Sequence, residues 1–103
     1  MIDSIKSLLG IGSKTNYKEL IENGAQIIDV RTRGEYAAGH IKGSINIPLN
    51  ELSTQIKKLK KEKAIITCCA SGMRSASAKS QLKSLGFTEV YNGGGWYSLQ
   101  NKI

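Results

Sequence analysis

The chain has 103 residues, 40% of them apolar and 22% charged, enough for one modest core and too short for two domains. No apolar run approaches the ~20 residues needed to cross a bilayer, so no membrane partner is expected. Fifteen Lys and Arg against eight Asp and Glu leave a formal charge of +7, which favours anionic partners.

In chain order, Met1 to Leu9 has the spacing of a short amphipathic helix and lacks the apolar block of a signal peptide, so a cytoplasmic protein is expected. Gly10 to Thr15 reads as a loop, which makes residues 1–15 an N-terminal segment ahead of a domain over 16–103. Asn16 can cap a short helix through Tyr17, Leu20 and Ile21 that Gly24 ends. The β-branched run of Gln26–Val30 predicts a buried strand. Arg33–Ala38 suits a short helix closed by Gly39, and Ser44–Ile47 a short strand stopped by Pro48.

Leu52, Ile56 and Leu59 fall at helical spacing and predict a longer helix from about Leu49 to Lys61. Lys57, Lys58, Lys60, Lys61 and Lys63 then form its solvated side. With no aromatic residue interleaved for base stacking, they do not read as a nucleic-acid site. Ala64–Cys68 is the most strand-like run, followed by a glycine-containing turn over Cys69–Met73 and a helix from about Arg74 to Leu85. Thr88–Tyr91 reads as a last short strand, and Gly93, Gly94 and Gly95 as the approach to a turn around Trp96. Strands alternating with helices predict an α/β fold with a parallel sheet covered on both faces and ligands at the carboxyl ends of the strands.

Cys69 sits at such an end. Its neighbour Cys68 could pair with it only in a strained geometry, and no second cysteine pair exists to hold a metal, so no metal or cofactor is expected. In Cys69-Ala70-Ser71-Gly72-Met73-Arg74-Ser75, a tight turn between strand and helix would aim backbone N–H groups and a helix dipole at the thiol and favour the nucleophilic thiolate. Gly72 permits the turn. Arg74 would add a charge and a fork of donors for an oxyanion or persulfide. This pattern alone does not separate sulfur transfer from phosphate-ester cleavage.

From about Tyr17 to Trp96 the chain resembles the rhodanese family. The matching pieces run in order: Asp29-Val30-Arg31 with Glu35; Gly39-His40-Ile41 and Gly43 leading to Asn46-Ile47-Pro48; the loop from Cys69 to Ser75; then Gly86-Phe87, Gly93-Gly94 and Trp96. The resemblance implies a parallel five-stranded sheet and a six-residue catalytic loop, Cys69 to Arg74. It implies a sulfurtransferase in which Cys69 carries a sulfane sulfur as a persulfide, held by the loop amides. Phosphatase-like relatives have a loop one residue longer, so phosphatase or arsenate reductase activity is the weaker alternative. A sulfur-relay or protein-binding module with little turnover is the other.

The expected partners are a small anionic sulfur donor or a protein persulfide, and a thiol or cyanide-like acceptor; a monomer is expected. Apart from Arg74 the loop brings no charge, so dianionic thiosulfate is not the obvious donor beside polysulfide or a persulfide. Asp29 and Arg31 read as supports for the loop, His40 as structural, and Cys68 as a buried small residue pointing away from Cys69 rather than a resolving thiol.

Overall fold

A computed structural model describes residues 15–103; the expected N-terminal helix and most of the loop after it lie outside the described residues. Helix α1 spans Tyr17–Glu22, with the Asn16 side chain accepting from the Glu19 N–H at 3.0 Å as a cap. Strand β1 is Gln26–Asp29. Helix α2, Arg33–Ala38, is set by a capping box in which Thr32 and Glu35 satisfy each other's backbone N–H groups. Strand β2 is the two-residue Ile45–Asn46, β3 is Ile65–Cys69, helix α3 is Met73–Ser84, β4 is Val90–Gly95 and helix α4 is Trp96–Gln100. No helix among the described residues is long and apolar enough to cross a membrane.

All pairings are parallel, in the order β2-β1-β3-β4. Among the described residues the first strand, β1, lies inside the sheet, and the chain then steps to one side with β2 and crosses back over β1 to place β3 and β4. That reversal makes the carboxyl ends of β1 and β3 the sheet's natural crevice. Period-two alternation feeds two apolar layers. Ile28, Ile65 and Cys69 face one layer with Ala78 and Leu82 of α3, while Ile27, Ile66 and Cys68 face the other with Leu99 of α4.

Three expectations are corrected. Four strands are paired among the described residues, where the resemblance implies five. The helix expected over Leu49–Lys61 is two 3-10 segments, Leu49–Thr54 and Ile56–Lys58. Leu52 and Leu59 are buried as the periodicity requires. The Thr54 hydroxyl, however, donates to the Glu51 carbonyl at 2.9 Å, a side-chain competition with the backbone that disfavours a continuous helix. Finally, Gly93–Gly95 are strand, and Trp96 opens a helix rather than a turn.

The glycines belong in β4 because of what lies against them. A Cβ on Gly93 would stand 2.8 Å from the Thr67 carbonyl oxygen and 2.9 Å from Leu99 Cδ2. Opposite Thr67 and Cys69 of β3 stand Asn92 and Gly95, so β4 carries one extra residue there. Gly94, at φ +80°, takes the left-handed conformation that such a bulge needs. The bulge sets Gly95 opposite Cys69.

Candidate active site

The last residue of β3 is Cys69, buried, with its thiol under the turn that leads into α3. Gly72 makes this turn at φ +102°, which a side chain would resist. The Gly72 N–H donates to Cys69 Sγ at 3.0 Å and the Ser75 N–H at 3.3 Å. The thiol reaches Ser75 Oγ at 3.4 Å. Burial pushes the Cys69 thiol up. Hydrogen bonds from the Ser75 hydroxyl and N–H, and from the N–H groups of Gly72 and Ser71, outweigh it and hold the thiol below its ordinary value. The site therefore presents a nucleophile in a ring of uncharged donors.

Ser75 is itself fixed. Its carbonyl accepts from Thr67 Oγ1 at 2.8 Å, and its hydroxyl donates to Asn92 Oδ1 at 2.6 Å. Asn92 also accepts from the Gly94 N–H at 2.9 Å and donates through Nδ2 to the Gly72 carbonyl at 3.3 Å. One amide from β4 thus clasps the loop, the start of α3 and the glycine bulge. Sequence reasoning missed Asn92, since its partners lie up to 20 residues away. The Ser75 hydroxyl stands between two acceptors and can turn its proton from Asn92 to a Cys69 thiolate.

Of the other loop residues, Ala70 and Ser71 are exposed, and Met73 is 80% exposed. Arg74 does not point its fork at the thiol. It makes a bidentate pair with Glu35, Nη1 to Oε1 at 2.7 Å and Nη2 to Oε2 at 3.0 Å. That partner holds the Glu35 carboxyl at about 2, helped by the Thr32 N–H of the capping box. Arg74 therefore ties the start of α3 to the start of α2. Beside it lies a cavity of about 310 Å³ lined chiefly by Val30, Pro48, Leu49 and Gln81.

Asp29 and Arg31 are brought together at the carboxyl end of β1. Arg31 Nη2 donates to Asp29 Oδ2 at 2.7 Å and to the Gly39 carbonyl at 2.7 Å, and its guanidinium lies 4.8 Å from the Trp96 ring centroid. They brace the end of β1 against Gly39 and Trp96. His40 stacks on Tyr36, with ring centroids 3.7 Å apart, and its Nδ1 lies 2.7 Å from the Tyr36 carbonyl. Neither contact reaches Cys69.

Cys68 points to the opposite layer and is wholly buried. Burial, with the nearby charge of Asp29, pushes its thiol up to about 12. Iodoacetamide at neutral pH is expected to label Cys69 alone in the native protein and both thiols after denaturation. Cys68→Ala should leave turnover unchanged; a clear loss would make Cys68 a resolving thiol.

The sequence model of the rhodanese-like domain matches residues 13–102. An uncharacterised protein of Bacillus subtilis, YqhL, is 40% identical over 68 residues, covering 66% of this chain; the chain spans only 54% of that relative's length. The thiosulfate sulfurtransferase GlpE of Pseudomonas paraeruginosa is 33% identical over 86 residues, covering 84% of this chain and 78% of that one. Among solved structures, the human single-domain sulfurtransferase TSTD1 superposes with a TM-score of 0.73 at 32% identity, covering 84% of this chain and 89% of that one.

Proposed function

This chain belongs to the rhodanese-like domain family, and from that premise we propose that it is a sulfurtransferase working through a persulfide on Cys69. The observation that carries the reading is the set of N–H groups from Gly72 and Ser75 converging on Cys69 Sγ. A thiolate held there attacks the outer sulfur of a sulfane donor, the donor's remainder leaves with the bonding electrons, and a thiol or cyanide-like acceptor later collects the sulfur. The same amides stabilise the anionic persulfide between the half-reactions. Cys69 is the catalytic residue and the backbone of Ala70–Gly72 and Ser75 the cradle. Arg74 is a positioning residue, which acts by holding the loop through Glu35.

The chemistry draws on no cofactor and no metal. Neither a dimer nor a nucleic acid is required, and the free thiols Cys68 and Cys69 suit a reducing cytoplasm. The six-residue spacing from Cys69 to Arg74 favours sulfur transfer over oxyanion-ester cleavage.

Incubating the protein with a sulfane donor should add the mass of one sulfur atom to the peptide containing Cys69, and cyanide should remove it with release of thiocyanate. A protein that gains no sulfur from any sulfane donor is not a sulfurtransferase. One that loads but passes sulfur only to another protein is a relay.

A further inference from the structure

On the sulfurtransferase reading, we propose that the donor is an organic persulfide, a sulfane sulfur carried on a carbon-bearing thiol, and not inorganic thiosulfate. The chain has three arginines, Arg31, Arg33 and Arg74. Each already holds a carboxylate: Arg31 with Asp29 at 2.7 Å, Arg33 with Glu51 at 2.6 Å, and Arg74 with Glu35 at 2.7 Å. The loop from Cys69 to Met73 contains no cation, and every hydrogen-bond partner of Cys69 Sγ is uncharged. The lysine-rich run of Lys57–Lys63 leads into the amino end of β3, the opposite end from Cys69. The chain is basic, yet each of its arginines, Arg74 of the loop included, is paired with a carboxylate.

Charge then decides between donors. Attack of the Cys69 thiolate on thiosulfate forms the Cys69 S–S bond, breaks the S–SO₃ bond and releases sulfite with the electron pair. Three negative charges are gathered on reactants and on products alike. Attack on R–S–SH forms the same bond, breaks the donor's S–S bond and releases RS⁻, with the proton staying on the transferred sulfur until the Cys69 persulfide ionises among the loop amides. One negative charge is gathered when the donor persulfide is protonated and two when it is ionised, fewer than with thiosulfate in either case. Neutral amides serve the second reaction well, whereas the first asks for an unpaired cation that the three arginines do not supply. The exposed Met73 in the loop and the cavity beside Arg74 offer apolar surface for the carbon-bearing part of such a donor.

The test measures the second-order rate of sulfur loading on Cys69 by mass, at matched concentrations of thiosulfate, glutathione persulfide and a persulfidated protein. One of the persulfides should load Cys69 at least about tenfold faster than thiosulfate, and the faster arm identifies the source. Loading by thiosulfate at an equal or higher rate overturns the inference but leaves the sulfurtransferase reading standing. No loading by any donor overturns both. Glu35→Gln keeps an acceptor at the third position of the capping box while leaving the Arg74 charge uncompensated. It should raise kcat/KM for thiosulfate several-fold relative to the persulfide; an unchanged ratio overturns the charge argument.

Discussion

Replacing Cys69 with serine is expected to take sulfur transfer down to the uncatalysed background, a loss of at least about a thousandfold. The nucleophile and the carrier of the intermediate are the same atom. A serine hydroxyl stays protonated at neutral pH and forms no persulfide, so the cradle amides have nothing to hold. The fold should survive, with a stability change of about 1 kcal/mol, because a hydroxyl can take the hydrogen bonds now made to Sγ by Gly72 and Ser75. Thermal unfolding of the variant separates loss of chemistry from loss of structure. Residual turnover within tenfold of the wild type would move the nucleophile elsewhere.

The same substitution carries a pH signature. The folded state holds the Cys69 thiol below its ordinary value, so the thiolate's contribution to stability is fully present above the unfolded thiol's pKa and is lost as pH falls through the lower folded one. Relative to the wild type, Cys69→Ser should therefore be least stable on the alkaline side, the gap closing as pH falls. In the wild type, the pH profile of Cys69 alkylation should have its midpoint below that of a free thiol. A midpoint at or above the free-thiol value would mean that burial outweighs the amides.

What the sequence reveals about this site divides along chain distance. The Cys69 loop is legible because strand, glycine turn and helix are consecutive, and a thiol between them has a local electrostatic reason to react. The helix boundaries of α2 and α3 are legible for the same reason, through Thr32 with Glu35 and through the glycine before Met73. Features made by residues far apart are not. Arg74 reads as a free anion receptor until Glu35, 39 positions earlier, is seen to close its fork. Asn92 has no motif to announce it, and its meaning lies in Gly72, Ser75 and Gly94. Gly93–Gly95 read as punctuation because glycine usually breaks strands. Here β4 needs them so that its backbone can approach Thr67 and Ala70.

That approach makes Gly95→Ala the second substitution with a large expected effect. The new Cβ would stand 2.8 Å from the Ala70 carbonyl oxygen, closer than real Cβ atoms come, and the obstacle is backbone that cannot rotate away. Either β4 retreats or the loop does. Retreat of β4 pulls on Asn92 and so on Gly72 and Ser75, while retreat of the loop moves the amides directly. Both routes misalign the donors around Cys69 Sγ. Displacement on the scale of an ångström costs about a hundredfold in rate, and the steric conflict costs about 1–3 kcal/mol in stability. Alkylation of Cys69 should slow at neutral pH in the same variant, since the loop would hold the thiolate less well. Gly34→Ala is the matched control: on α2 its Cβ meets nothing within 4 Å and its backbone is ordinary helix. It should leave transfer intact and add a few tenths of a kcal/mol to stability. If Gly95→Ala transfers sulfur as fast as Gly34→Ala, the contact between β4 and the Ala70 carbonyl does not position the loop.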